Sequence, residues 1–520
     1  MMSQLQDMGS PSAARSRRRS AGQLHALAGL QREILATDPN SRRKYLRDFS
    51  EAFRDYKSLL TPGQLEAQLR QADVVLVGDY HALPASQRFA AQILEQMAKS
   101  GRQVVLGVET ILARDQHILD EWTQREIDDE ELRKRIRFEL DWGYAWEPFR
   151  ELLVAARQRA VGIYGLDCVP RDDLRRIARR DRHAAQKIAE IARRHPNAIV
   201  VVLFGESHLA PNHIPEVLRL ALPDAGIVTL LQNIDHLYWR AAGERREHVE
   251  AVRVENDVLC VFNATPLEKY ESYRQCIERW RQEATVPDLA PTFYNLVDAL
   301  ARFLHVDRYA PHNGTQPVYL VDRMPEVYHQ PSEEAIPRLL LRKGAGDEEM
   351  AQVLARIESS GCCYVPRVNA IFVREFQMAA GAEEAARFVH HACLQPAASD
   401  EAAGVAAEER FYASVVEHAL GYFGSRVLCP SRPAMRGLDL GELSAQAQDA
   451  GPDHSRSSGK QVALAAEKLG YMLGSELYDA YVAGGISKRY IRSLFFRKLS
   501  GPQARGTCLQ IARKTRSRRA

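Results

Sequence analysis

The sequence predicts an α/β fold: a mostly parallel sheet flanked by helices, followed by a helix-rich C-terminal domain. Three features point there. Apolar, β-branched runs (74–77, 104–108 and 199–204) are followed directly by an acidic residue or by glycine and then one, the pattern of strands buried on both faces of a parallel sheet. Segments of ten or more residues with helical apolar spacing separate these runs, which implies right-handed βαβ units. Beyond Trp239 the alternation stops and helical spacing dominates.

Taken in order, residues 1–22 form an Arg/Ser-rich leader, expected to be disordered, and 23–64 carry N-terminal helices broken near Asp38-Pro39-Asn40. The α/β domain spans 65–265. Its strands are expected at 74–77, 104–108, 161–166, 198–204, 227–231 and 258–262. Between them come a helix over 84–100, entered through Pro84 and left at Gly101, a helix over 113–123, a charged helix near 127–139, and helices over 148–159 and 171–194. Another helix begins near Ile214-Pro215. Residues 266–443 read as a helix-rich region, with helices near 266–282 and 291–305, a short strand at 318–321 and an extended stretch over 363–373. The Asp/Ser/Gly-rich stretch 444–460 reads as a linker, and 461–520 as helices ending in a basic tail.

At 520 residues the chain is too long for one core, so two domains with tails are expected. A hydrophobic share of 45% and a charged share of 26% are those of a soluble globular protein. No apolar run reaches the ~20 residues a bilayer span needs, and the basic start lacks the apolar stretch of a signal peptide. Eight scattered cysteines without a Cys-x-x-Cys pair indicate neither a zinc ribbon nor a disulfide framework, and a cytoplasmic location with reduced thiols is expected. The basic tracts at 15–19 and 513–519 read first as solvated tails, with contact to nucleic acid or an anionic surface as the lesser reading.

In a parallel sheet the ligand crevice lies beyond the carboxyl ends of the strands. Asp79 and His81, Glu109, Asp167, and Glu206 with His208 follow four of the runs and are expected to gather there. One strand-end histidine is a hydrogen-bonded cap. Two histidines and four carboxylates on one edge read as a site, because clustered like charges cost stability unless a ligand or cation offsets them. Such a set can hold a divalent metal, with His81, Glu109 and His208 as ligands, or activate water through His81, Glu109, Glu206 and His208. The loop with Trp142, Tyr144 and Trp146 could wall a flat apolar ligand, with Tyr80 or Tyr144 as an oxygen donor to iron. Salt bridges from Arg114 to Glu109 and from Arg171 to Asp167 are the plainer structural alternative. Glu383, Glu384, His390, His391 and His418 are assigned to surface and packing, because the Glu-x-x-His spacing of a di-iron bundle is missing.

The ordered set Gly78-Asp79-Tyr80-His81, Gly107-Val108-Glu109 with Asp115-Gln116, Trp142 to Pro148, Asp167 and Gly205-Glu206-Ser207-His208 resembles the ChaN-like haem-binding family. That family belongs to the wider Tiki, TraB/PrgY and erythromycin-esterase-like superfamily. The resemblance covers about 70–235. Asp79 stands where the family has Glu, Ala82 where it has Asp, and Asp167 where it has Asn. The resemblance implies either binding of haem or a related iron ligand, with Asp79, Tyr80, Tyr144 and Asp167 at the ligand, or a metal-dependent or His/Glu-assisted hydrolase. The partner implied is a small molecule.

Overall fold

The computed structural model describes residues 11–38, 49–169, 177–244, 249–282, 287–306, 323–332, 334–394, 406–449, 456–499 and 503–516. The chain divides into two compact units, 32–285 and 1–31 with 286–520.

The first unit is built on an eight-stranded sheet of order β1-β7-β8-β6-β2-β5-β3-β4. Its strands are β1 (Ser58–Leu60), β2 (Val74–Asp79), β3 (Gln103–Leu112), β4 (Gly162–Asp167), β5 (Ala198–Gly205), β6 (Ile227–Gln232), β7 (Ala251–Arg253) and β8 (Val258–Val261). The pairings from β8 through β4 are parallel, and those of β7 with β8 and β1 with β7 are antiparallel. Chain order and spatial order differ at the centre: β5 lies between β2 and β3.

The β-branched runs are buried on both sides, and alternate residues feed two cores. Val75, Val77, Leu106, Val201 and Leu203 pack with Ile93, Leu94, Leu119 and Leu152 on one face. Val74, Leu76, Val105, Val200 and Phe204 pack with Ala184, Ile188, Ile214 and Leu218 on the other. Each such side chain contributes about 1.5–3 kcal/mol when fully buried. Helices therefore cover both faces and leave the carboxyl ends of the strands as the edge available to a ligand.

Several expectations differ from the structure. Residues 11–22, expected in a disordered leader, belong to the helix Pro11–Thr37, since Ala, Leu and Arg favour helix and Ser20 and Gln23 are buried with Leu27 and Leu30. Residues 1–10 lie outside the described residues. Residues 58–60, expected as helix, form β1 instead, because the antiparallel pairing with β7 gives this short run its hydrogen bonds. Neither three-residue strand has enough length to show in the sequence. The helix expected near 127–139 is two, Asp129–Arg135 and Phe138–Asp141, separated by Arg137 in a left-handed conformation. The α/β unit also runs past residue 265 to include the helix Pro266–Gln282.

The second unit is mainly helical, with long helices at Ala290–Leu304, Met378–Cys393, Ala407–Leu428 and Arg456–Val482. Its small sheet joins β9 (Glu326–His329), β10 (Cys362–Val365) and β11 (Ala370–Val373), so the stretch read as one extended segment over 363–373 is a hairpin. The strand expected at 318–321 lies outside the described residues. The stretch expected as a linker over 444–460 is helical at both ends, in Leu440–Asp449 and from Arg456 onward; burial of Leu443 and Ala447 anchors the first part. Residues 450–455 are outside the described set.

Of the residues assigned to surface and packing in this unit, Glu383, Glu384 and His390 are buried. Arg356 donates to Glu383 (2.7 Å) and Glu384 (2.8 Å), Arg432 pairs with Glu383 (2.8 Å), and Arg387 donates to Glu384 (3.1 Å). Glu383 and Glu384 are buried because Arg387 on their own helix and Arg356 and Arg432 from other elements neutralise them; the last two cannot be read from spacing on one helix.

Candidate active site

Parallel register brings β2, β5, β3 and β4 to one edge: β2 and β4 end in Asp79 and Asp167, β5 ends in Gly205 before Glu206, and β3 carries Glu109 and runs on to Leu112 past a shift in its register with β4. Gly205 shows how tight this edge is: a Cβ there would lie 3.1 Å from Glu109 Oε2 and 3.2 Å from His81 Nε2. Its own N–H donates to Glu109 Oε2 at 2.6 Å.

Two His–Asp dyads face one glutamate. His81 Nδ1 contacts Asp79 Oδ2 at 2.8 Å, and its Nε2 lies 3.8 Å from Glu109 Oε2. His208 Nδ1 contacts Asp181 Oδ1 at 2.5 Å, and its Nε2 lies 3.9 Å from Glu109 Oε1. Asp181 also holds His213 Nδ1 at 2.7 Å, and Gln87 donates its amide to the other oxygen of Asp79. A carboxylate on Nδ1 fixes the tautomer and leaves Nε2 as the working nitrogen. The dyads differ in access: the His81 side chain is 22% exposed, that of His208 only 7%.

Arg180 organises the carboxylates. Its Nε and Nη2 grip Asp167 at 2.9 and 2.8 Å, Nη2 also donates to Glu109 Oε1 at 2.6 Å, and Nη1 lies 3.5 Å from His208 Nε2. Such a bidentate pair is among the stronger charge-assisted contacts. Burial works to raise the Glu109 pKa, but His81, Arg180, His208 and the Gly205 N–H outweigh it and hold the carboxyl far below the usual range. Burial lowers the proton affinity of His81, but the charge and hydrogen bond of Asp79, with the charge of Glu109, more than offset this and raise its pKa above 6.5. His81 thus holds its proton more tightly than an ordinary imidazole. The same opposition of burial and histidine contacts lowers the pKa of Asp181.

A second polar group adjoins the first. Lys269, from the helix Pro266–Gln282, donates to Glu206 Oε1 (3.1 Å) and the Asn233 carbonyl (3.3 Å), and its ammonium lies 4.5 Å from the centre of the Tyr80 ring. Burial pushes the Tyr80 phenol well above its ordinary value, with Tyr270 and Glu206 adding to the effect. Around His81 runs a chain of rings: Trp142 at 4.5 Å and Tyr144 at 5.2 Å from it, then Trp280 at 5.4 Å from Tyr144, and Tyr273 at 6.2 Å from Trp280. Trp280 is tied to the aromatic loop by its N–H on the Gly143 carbonyl (2.6 Å).

The structure therefore brings Asp79, His81, Glu109, Asp167 and His208 together, and places Glu206 apart from them on Lys269. The expected partners are different. Arg114 contacts Asp115 (3.6 Å), and the cation on Glu109 is Arg180; Arg171 lies outside the described residues. Arg180, Asp181, Gln87, His213 and Lys269 were not expected from the sequence. Arg180 and Asp181 had a signal: they continue the buried stripe of Ala184, Ala185 and Ile188 on their helix, a place where charge needs a partner. The set His81, Glu109 and His208 does not fit a divalent cation. Arg180 already occupies Glu109 Oε1 and stands against His208 Nε2, and the described residues hold no group of three or more His, Cys, Asp or Glu arranged for a metal.

Residues 65–187 match the family model described as "Haem-binding uptake, Tiki superfamily, ChaN", so the resemblance to the ChaN-like family stands for that segment. No curated protein matches the chain. Among solved structures, "Cofacial heme binding to ChaN of Campylobacter jejuni" aligns at 15% identity over 34% of this chain and 86% of that one, with a TM-score of 0.26. "The structure of the type III effector HopBA1" aligns at 11% identity over 40% of this chain and 97% of that one, with a TM-score of 0.31. Among the described residues, no helix is long and apolar enough to cross a membrane.

Proposed function

We propose that the α/β unit is a metal-independent hydrolase of small esters, with His81 as the proton-transfer group. The observation that carries this reading is the array Asp79–His81···Glu109, in which the imidazole Nε2 faces a carboxylate at 3.8 Å, too far for a direct hydrogen bond. A water can touch both atoms there. His81 takes the water's proton as its oxygen attacks the ester carbonyl, and returns that proton to the departing alcohol. Asp79 stabilises the imidazolium formed in between, and Glu109 orients the water. Arg180 keeps Glu109 ionised and fixed. His208, more buried, braces Arg180 and Glu109 and leaves the transfer to His81.

A chromogenic panel of p-nitrophenyl esters with the purified chain tests this. We expect turnover that rises with pH as His81 loses its proton, through a midpoint above 6.5, and that His81→Gln removes. Turnover no greater in the wild type than in His81→Gln would reject the hydrolase.

The family match supports a second reading, binding of haem against the ring chain. Trp142, Tyr144 and Trp280 would supply the apolar faces, and Tyr144 the oxygen donor. Tyr80 is the poorer donor, since its ring lies against Lys269 and its phenol resists ionisation. A shifted Soret band with wild type that Tyr144→Phe alters would support this reading.

A further inference from the structure

We infer that the helical unit carries a binding surface for a nucleic-acid phosphate backbone, formed by the helices Lys488–Phe495 and Gln503–Arg516 and edged by the basic start of the helix Pro11–Thr37. Residues 480–520 contain eleven lysines and arginines and no acidic residue, in a chain whose 67 Asp and Glu nearly balance its 70 Lys and Arg. Among the described residues, much of this bias is built onto folded elements. In the first helix Ile491, Leu494 and Phe495 are buried; in the second, Ala504, Cys508, Ile511 and Ala512 are. The basic residues occupy the remaining faces, with Arg489, Arg505, Arg513 and Lys514 exposed.

Three contacts join the pieces. The Lys514 ammonium lies 4.0 Å from the centre of the Tyr490 ring, the Arg497 guanidinium donates to Gln510 at 2.9 Å, and Arg18 lies against Gly484. Arg505 pairs with Glu408 at 3.4 Å, whereas among the described residues no carboxylate pairs with Arg489, Arg492 or Arg513. Neighbouring cations in excess of carboxylates repel one another, and a polyanion relieves that repulsion by replacing their condensed ions. The guanidinium forks that dominate the face match phosphate geometry better than ammonium groups do. A membrane fits less well. An amphipathic helix holds a bilayer through a free apolar face, and both helices spend theirs on their own core.

Fluorescence anisotropy of a labelled 20-base-pair duplex with the full-length chain tests the surface. Affinity is expected to fall by about a hundredfold between 50 and 200 mM salt, and the double variant Arg489→Gln/Arg513→Gln to flatten the log–log salt slope by about two while leaving the melting temperature unchanged. Arg489→Lys/Arg513→Lys should retain most binding. No binding at 50 mM salt, or an unchanged slope in the Gln variant, would overturn the proposal. So would equal or tighter binding to vesicles containing phosphatidylserine, which would assign the face to a membrane.

Discussion

Both units bury clusters of acidic, basic and histidine side chains, yet they do opposite things with them. At the sheet edge, one guanidinium serves Glu109 and Asp167 while aspartates hold two imidazoles by their Nδ1 atoms, so His81 gains proton affinity. In the helical unit, Arg356, Arg387 and Arg432 surround Glu383 and Glu384, and the histidines are pushed the other way. Burial, reinforced by Arg356 and Arg387, holds His418 well below its ordinary value. Burial also takes His390 and His391 down to about 4, with His391 and Arg387 respectively adding to it. The Asp79 and Glu109 carboxylates raise the proton affinity of His81, while burial and neighbouring arginines lower that of His418. Burial of charge alone therefore does not mark a site. The sign of the neighbour does.

The largest expected effect tests the first half of that contrast. His81→Gln should reduce ester turnover by ~10²–10⁴-fold, the usual contribution of a general acid–base group, and shift the melting temperature by no more than a few degrees. A large melting shift with turnover retained would make His81 a structural residue. Next comes Arg356→Met, which leaves Glu383 and Glu384 short of a partner in the interior and should cost about 3–5 kcal/mol, read from urea unfolding followed in the helical unit. A loss below 1 kcal/mol would mean that Arg387 and Arg432 suffice.

The pH response should separate the units more finely. Below 6.5 the unfolded chain protonates His390, His391 and His418 while the folded helical unit keeps them neutral, so acidification from 6.5 towards 4 removes stability there. His81 has the opposite sign. Its contribution is complete below 6.5 and disappears as the pH rises through its folded value, while the contribution of Glu109 persists until the pH falls below about 4.5. Hydrogen exchange at pH 6.5 and 4.5 should show protection lost in the helices Met378–Cys393 and Ala407–Leu428 and kept in β2 and β3. The reverse order would break the comparison. The smallest effect is expected for Trp280→Ala, whose ring is 46% exposed: loss of the Gly143 hydrogen bond should cost about 0.5–1.5 kcal/mol in thermal unfolding.

Much of the sheet is visible in the sequence because β-branched runs buried on both faces leave no other reading, and their ends name Asp79, Glu109, Asp167 and Glu206 directly. What completes the site comes from helices. Arg180 lies thirteen residues beyond Asp167 in the chain, and sequence proximity favours Arg114 and Arg171 over it. Lys269 and Trp280 sit outside the matched segment 65–187 altogether. Arg387, one turn on in the same helix, is within reach of local periodicity, but Arg356 and Arg432, which come from other elements and complete the neutralisation of Glu383 and Glu384, are not.

The position of β5 has a consequence for synthesis. It is the fourth of the parallel strands to leave the ribosome, yet it sits between the first two, β2 and β3, which never hydrogen-bond to each other. A nascent chain that stops at residue 187 can pair β3 with β4 but leaves β2 without either neighbour. Asp79 and His81 on one side, and Glu109 and Asp167 on the other, are then held only by the connecting helix Pro84–Lys99. The dyad and its glutamate become one apparatus when β5 threads between them and the Gly205 N–H reaches Glu109. The geometry of this edge should consequently appear late and abruptly during translation, and a fragment ending at 187 should lack β5, Glu206 and His208 and so leave Asp79, His81 and Glu109 unassembled.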